Sequence, residues 1–184
     1  MEARAEPLPG LGDRPMDIEN DDALVGIGKS HRVIIWDGQQ EREKELHWGL
    51  PSHNPDIFQI PLLKSETAII DRPCLLLANE FGLVKRGRTV YSASLIGEPF
   101  LCIAATWRPG NRDWPDSFAA LTVPAYADLA HHKDRHVGVV HPDDLFDWLM
   151  GKRPPLDLLR PFPKDSFRIT PPIQQNFDDL LGAA

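Results

Sequence analysis

One stretch of the chain, residues 131–136, concentrates side chains that can do chemistry. It runs His-His-Lys-Asp-Arg-His and is followed directly by the short β-branched run that ends at Val140. Imidazole and carboxylate groups bind metals or move protons, and the ammonium and guanidinium groups attract phosphate. A polar turn beside a strand is a common place for function, because loops carry chemistry on a rigid scaffold.

Metal binding is the first chemistry that this stretch suggests, with His131, His132, His136 and Asp134 as ligands. Metal sites usually take their ligands from separate elements or from helical i, i+4 positions. Consecutive residues that enter a strand point to alternate faces, so few of these side chains can converge on one ion. We therefore predict no metal site here and a solvated turn instead.

Two further groups have the composition of nucleic-acid ligands. Lys85 begins a basic turn, Lys-Arg-Gly-Arg, that is either a solvated hairpin tip or a phosphate contact. Trp48 precedes a Gly-Leu-Pro loop, where it either stacks on a base or pins the loop as a core residue. Neither alternative is decided by the sequence.

The composition limits the partners. The 184 residues carry a formal net charge of −7, so nucleic acid would need a local basic groove on an otherwise acidic protein. Cys74 and Cys102 lie in apolar runs and are predicted to be buried, reduced thiols. No apolar run has the length of a membrane span, and the first residues lack the apolar centre of a signal peptide. We expect a cytoplasmic protein without a cofactor.

The elements that would position these groups are mostly short strands. Apolar runs bounded by turns predict most of them. The acids at 143–144 and Gly151 bracket a helix over residues 143–150. Residues 1–29 are predicted to be a flexible arm, and residues 30–184 a single domain with an irregular proline-rich tail. The predicted strands are 32–36, 45–48, one or two within 60–70, one or two within 74–84, 89–94, 100–107, 118–123 and 137–140.

Five stretches in order resemble the pattern of the SOS response-associated peptidase (SRAP) family. The resemblance extends over residues 32–151 and includes the arginine of the polar turn, Arg135. The matching stretches are His47-Trp-Gly-Leu-Pro-Ser52, Leu62-Leu-Lys-Ser-Glu-Thr67, Arg72-Pro-Cys-Leu-Leu-Leu-Ala-Asn-Glu-Phe81, residues 100–107, and residues 133–149, which contain Asp134-Arg135 and a Trp-Leu helix.

The resemblance implies a fold and a chemistry. The fold is α+β, a strand-rich mixed sheet or partly closed β-barrel with a few short helices and a groove for single-stranded DNA. The family's N-terminal cysteine crosslinks to the aldehyde of an abasic site, assisted by an asparagine, a glutamate and a histidine, and some members cleave their own leader peptide. The resemblance adds Lys64 and Arg135 as DNA-binding residues to the two candidates that composition suggests, Trp48 and Lys85.

The crosslinking residues are replaced in this chain. Glu2 stands where the family has its cysteine, Leu62 replaces the asparagine and Leu83 the glutamate. Lys133 falls on the histidine unless one residue is inserted, in which case His132 takes that position. A leucine cannot transfer a proton, so the family's route to a crosslink is not expected here.

Three hypotheses follow. The first is a divergent SRAP-like protein that binds single-stranded or damaged DNA without crosslinking it. The second is an active enzyme whose site is rebuilt from His132, Glu66 and Asp134, or whose true start lies elsewhere. The third is a noncatalytic module that binds a protein partner through its acidic surface.

Overall fold

The structure is a computed structural model that describes residues 27–85 and 89–171. It is strand-rich, as predicted, with a large mixed sheet and a few short helices. The strands are β1 (Ser30–Trp36), β2 (Glu41–Trp48), β3 (Leu50–Pro51), β4 (Gln59–Ile60), β5 (Leu62–Lys64), β6 (Pro73–Ala78), β7 (Phe81–Lys85), β8 (Thr89–Leu95), β9 (Leu101–Arg108), β10 (Ser117–Pro124), β11 (Arg135–Val137), β12 (Val139–Val140) and β13 (Phe167–Thr170). A 3-10 turn (Pro142–Asp144) leads into α1 (Leu145–Leu149), and α2 is Pro155–Leu158.

Five strands of the large sheet pair with one another in a closed ring. The pairings β10–β2, β2–β1, β1–β6, β6–β9 and β9–β10 form a ring, although the sheet as a whole is partly ringed and not a regular barrel. The register directs a row of apolar side chains to the inside of the ring, including Val33, Trp48, Cys74 and Phe118. Both cysteines are free and buried, as predicted, and burial raises the pKa of each thiol.

β10 pairs with four other strands along its length. Its first half pairs with β9 on one side and β2 on the other, and its second half pairs with β11 and β5. The strand therefore extends beyond the ring and carries two additional strands at its far end. The predicted site residues Lys64 and Arg135 lie on those two strands.

A smaller sheet with the order β13–β8–β7 packs beside the ring. An aromatic cluster joins the two sheets: Phe81 of β7 stacks on His136 of β11 with ring centroids 5.6 Å apart, and Phe167 of β13 lies 6.1 Å from Tyr126. Burial of these rings stabilises the contact between the sheets.

Three sequence predictions need correction. The strand predicted over 137–140 is two strands, because the hydrogen-bonding partner changes at Gly138. Its amide donates to β10 and its carbonyl accepts from β9. A Cβ atom at this position would lie 3.2 Å from Leu159. The helix predicted over 143–150 begins as a 3-10 turn, since the carboxylate of Asp144 binds Arg153 and Arg160 and caps no amide. The tail predicted to be irregular forms α2 and β13.

The predicted arm, residues 1–29, lies outside the described residues except at its end. There the Gly28 amide donates to the carbonyl of Trp48, and the Lys29 carbonyl accepts from the amide of Trp48. Residues 28 and 29 are thus bonded to β2. Among the described residues, no helix combines the length and the apolar composition that crossing a membrane requires.

Candidate nucleic-acid interface

Arg135 is held in a fixed orientation at the end of β11. Its Nη1 and Nη2 atoms donate to the two carboxylate oxygens of Glu66, each at 2.7 Å. Nη2 also donates to the Thr122 carbonyl at 2.7 Å, and Nε donates to the Thr122 hydroxyl at 3.3 Å. The ion-pair partner of Arg135 is therefore Glu66, and not the adjacent Asp134 or the acids of the helix.

The ion pair sets the electrostatics of this position. The Arg135 guanidinium, the amide of Glu66 itself and the Ser65 hydroxyl lower the pKa of Glu66 to about 2. Glu66 in turn raises the pKa of Arg135. Glu66 is therefore ionised at any physiological pH, which suits a counter-ion and not a group that exchanges protons near neutrality.

Lys64 lies on the same face of the sheet as Arg135. Lys64 is the direct partner of Thr122 across β5 and β10, while Arg135 binds Thr122 from the opposite side. Side chains of directly paired residues point to the same face. The Lys64 side chain is exposed and forms no salt bridge with any described residue. Two cations therefore flank the outer end of β10.

Leu62 belongs to this face as well. It lies two residues before Lys64 on β5, is the partner of Ala120, and is 41% exposed. Leu62, which stands where the family pattern has an asparagine, thus lies next to Lys64 on the same face of β5. We call the set Leu62, Lys64, Glu66, Thr122 and Arg135 the β10 platform.

A second cluster surrounds Tyr91 of β8. Leu83 is the backbone partner of Tyr91 and is fully buried, and the ring of His132 lies 4.8 Å from the ring of Tyr91. The Nδ1 atom of His132 is buried and has no hydrogen-bond partner among the described residues. Lys133, which takes the family's histidine position in an ungapped register, is exposed.

The remaining predicted residues fall in different settings. Asp134 has an exposed side chain, and its carbonyl accepts from the amide of Ala125. Within the described part of the chain, the ring of His132 contacts Tyr91 and its amide donates to the Leu129 carbonyl, and no hydrogen bond joins it to Glu66 or Asp134. The structure therefore does not join the three proton-transfer candidates into one site. The Lys85 side chain and residues 86–88 lie outside the described part.

Trp48 occupies the core. It is 8% exposed, stacks on Phe118 with centroids 5.6 Å apart, and donates its indole N–H to the Pro61 carbonyl at 2.8 Å. Of the two interpretations left open by the sequence, the core tryptophan that pins a loop fits this geometry. In this conformation the ring offers no free face to a base.

His136 contradicts the prediction of a solvated turn. It is 4% exposed, its Nε2 accepts from the Tyr126 amide at 3.2 Å, and its Nδ1 donates to the Val137 carbonyl at 2.6 Å. Burial lowers its pKa to about 4, so the ring is neutral. Alternation along β11 explains the difference, because it points Arg135 outward and His136 inward.

The sequence interpretation did not single out Thr122, which binds Arg135 through both its hydroxyl and its carbonyl. Thr122 lies on the same face of β10 as Phe118, but it is part of the segment that extends beyond the ring, and this becomes known only when β5 and β11 are placed. For the described ranges, no group of three or more histidine, cysteine, aspartate or glutamate side chains is arranged to hold a metal ion.

Comparison with known proteins adds information about the fold. Neither a protein-family model nor a curated protein matches this chain. A protein from Bordetella bronchiseptica is similar in structure with a TM-score of 0.65 and 20% identity, over 79% of this chain and 84% of that one. A protein from Bacteroides thetaiotaomicron gives 0.64 and 12%, over 78% and 74% of the two chains. A phage-related protein from B. bronchiseptica gives 0.65 and 20%, over 82% and 81%. At these identities the likeness shows the fold alone, and the fold is one that bacterial proteins share.

Proposed function

We propose that this chain is a divergent SRAP-like protein that binds single-stranded DNA on the β10 platform without crosslinking to it. Lys64 supplies an exposed, unneutralised charge for phosphate, and Arg135 supplies a guanidinium already oriented by Thr122. The affinity would come from contacts to the phosphate backbone, which carry no sequence preference.

The observation that carries the proposal is the convergence of positions that the resemblance selects. Leu62 and Lys64, both on β5, meet Arg135 of β11, which comes from a distant part of the chain, on one face beside β10. Leu83 and His132 meet around Tyr91 in the same way. A chance likeness between short motifs would not be expected to bring their corresponding positions together twice.

The loss of crosslinking chemistry is supported by the side chains at these positions. Leu83 is fully buried, and the unpartnered Nδ1 of His132 lies in the same cluster, where a carboxylate would be able to accept its proton. The Leu62 side chain has no group that donates or accepts a hydrogen bond. Neither leucine can assist imine formation, so binding without reaction is the expected outcome.

Binding is tested by measuring the affinity for a fluorescent single-stranded oligonucleotide at several salt concentrations. We expect Lys64→Ala to weaken binding and to reduce the slope of log affinity against log salt by about 0.7. Lys152→Ala is the matched control, because Lys152 is also exposed but follows α1, which packs against β6 across the ring. A millimolar affinity that does not change with salt would contradict the proposal and favour a protein-binding module.

The absence of crosslinking is tested separately. The protein is incubated with single-stranded DNA that contains one abasic site, and the mixture is heated and run on a denaturing gel. We expect no shifted band. A heat-stable adduct that disappears in His132→Ala would instead establish the rebuilt enzyme.

A further inference from the structure

The described part of the chain contains an aromatic pair outside its hydrophobic core. Phe58, in the loop before β4, is 79% exposed, and its ring centroid lies 5.3 Å from that of Trp114 in the loop before β10. Neither residue belongs to the core cluster or packs against it. Ile57, next to Phe58, is 47% exposed.

The pair is presented in a fixed arrangement. Trp114 donates its indole N–H to the Gly49 carbonyl at 3.0 Å, and its ring meets His47 edge-on at 5.8 Å. The turn that carries Trp114 is closed by the side chain of Asn111, which accepts from the amides of residues 113 and 114. These bonds fix the edge of the indole, while the ring of Phe58 remains open to solvent.

The charges around the pair are balanced. Lys29 and Arg112 are exposed and form no salt bridge with described residues, and they can contact phosphate. Asp56 and Asp113 are exposed in the same two loops and oppose a strong electrostatic attraction. These four charges cancel, so the exposed aromatic faces would provide most of the attraction for a ligand, while the two cations can still contact single phosphates. Nucleobases on a phosphate backbone offer such faces.

An extended segment connects the pair to the β10 platform. The chain runs from Phe58 through β4 and Pro61 into β5, and reaches Lys64 within at most about 20 Å. A single strand that contacts Lys64 can therefore reach Phe58 within a few nucleotides.

We propose that Phe58 and Trp114 form a base-stacking subsite for single-stranded nucleic acid, at the end of β10 opposite to Arg135. This inference rests on the proposed function and extends it, since Lys64 and Arg135 contact phosphate while the aromatic pair contacts bases. It assigns to Phe58 and Trp114 the contact that the sequence suggested for Trp48. Stacking accepts any base, because every base has a π face.

The test compares two oligonucleotides of equal length and charge, one of thymidines and one of abasic tetrahydrofuran residues. We expect the wild-type protein to prefer the thymidine strand about tenfold. Phe58→Ala should lose most of that preference while its affinity for the abasic strand and its salt slope stay unchanged. Phe58→Tyr should retain the preference, because its ring still stacks. Binding of the thymidine strand should quench tryptophan fluorescence, and Trp114→Phe should remove that quenching.

Ile69→Ala is the matched control, because Ile69 is 73% exposed but lies between β5 and β6, away from the aromatic pair. If Phe58→Ala leaves the preference for thymidine intact, the stacking subsite is wrong while salt-dependent binding through Lys64 still stands. If the wild-type protein prefers neither strand yet binds both with a salt-dependent affinity, the subsite is likewise wrong. If it binds neither strand, the proposed function fails together with the subsite.

Discussion

At the scale of single residues, the ion pair between Arg135 and Glu66 determines how the platform can act. Four hydrogen bonds orient the guanidinium, two of them to Glu66 and two to Thr122. Together these bonds occupy most of the donors of Arg135, and Glu66 neutralises its charge, so the unpaired ammonium of Lys64 dominates the attraction of phosphate. Glu66 therefore limits the affinity for an anion while it keeps the site ordered.

Replacing Glu66 tests this balance. We expect Glu66→Gln to raise the affinity for single-stranded DNA about fivefold, because it removes the negative charge that neutralises Arg135. The salt slope should steepen by about 0.7, as for one additional phosphate contact. Glu98→Gln is the control, since Glu98 is an exposed acid in the turn between β8 and β9. An unchanged or weaker affinity in Glu66→Gln would mean that Glu66 orients Arg135 more than it neutralises it.

At the scale of elements, β10 separates two functions along its length. Its first residues pack Phe118 against Trp48 inside the ring, and its last residues carry Thr122 beneath Arg135. Trp48 and Arg135 pair with positions of β10 that are about 20 Å apart along the strand. The beginning of the strand therefore belongs to the core, and its end belongs to the β10 platform, the surface that we propose for DNA binding.

A substitution at Trp48 distinguishes a core residue from a stacking residue. Trp48→Phe loses the hydrogen bond to Pro61 and leaves a small cavity, so we expect a loss of about 1–3 kcal/mol in the free energy of unfolding. The affinity of the folded protein for a thymidine strand should change less than twofold. Urea denaturation and fluorescence anisotropy measure the two effects. A large loss of affinity with unchanged stability would restore Trp48 as a base-stacking residue.

At the scale of the whole molecule, the buried histidine of β11 links the ring to the smaller sheet. His136 stacks on Phe81 and meets the ring of Tyr126 edge-on at 4.3 Å. Both of its nitrogens bond to backbone groups, which requires a neutral ring with the proton on Nδ1. Protonation would place an uncompensated charge between the two sheets.

The stability of the protein should therefore fall in mild acid. The pKa of His136 is about 4 in the folded protein and near 6.5 in the unfolded chain, so the unfolded chain takes up the proton first as the pH falls. Stability is full above pH 6.5 and declines between pH 6.5 and 4, by up to about 3 kcal/mol. Burial also lowers the pKa of His141, which adds to the slope in the same direction.

Urea denaturation between pH 7.5 and 4.5 measures this slope. His136→Gln should flatten it, because glutamine can occupy the position without titrating in this range. A proton NMR titration of the wild-type protein provides a second measurement that needs no substitution. An imidazole of His136 that titrates near pH 6.5 would contradict the prediction.

The sequence by itself predicted the strands of the ring and both cations of the platform. Apolar runs bounded by turns locate strands such as β6 and β9, because a strand buried on both faces needs continuous apolar side chains. Lys64 and Arg135 were selected because they lie in stretches that resemble the SRAP pattern. Apolar runs and short motifs are local in the chain, so the sequence alone reveals them.

Only the tertiary structure decided which side chains meet. The Glu66 carboxylate and the Arg135 guanidinium are 69 residues apart, and they pair because β5 and β11 both add to the end of β10. Phe58 lies outside the strands, and the conformation of the loop before β4 leaves it exposed. Strand register buries Trp48 and His136, which the sequence interpretation allowed to face solvent. Strand pairing between distant segments sets the faces of these two residues, and a shift by one residue would reverse both.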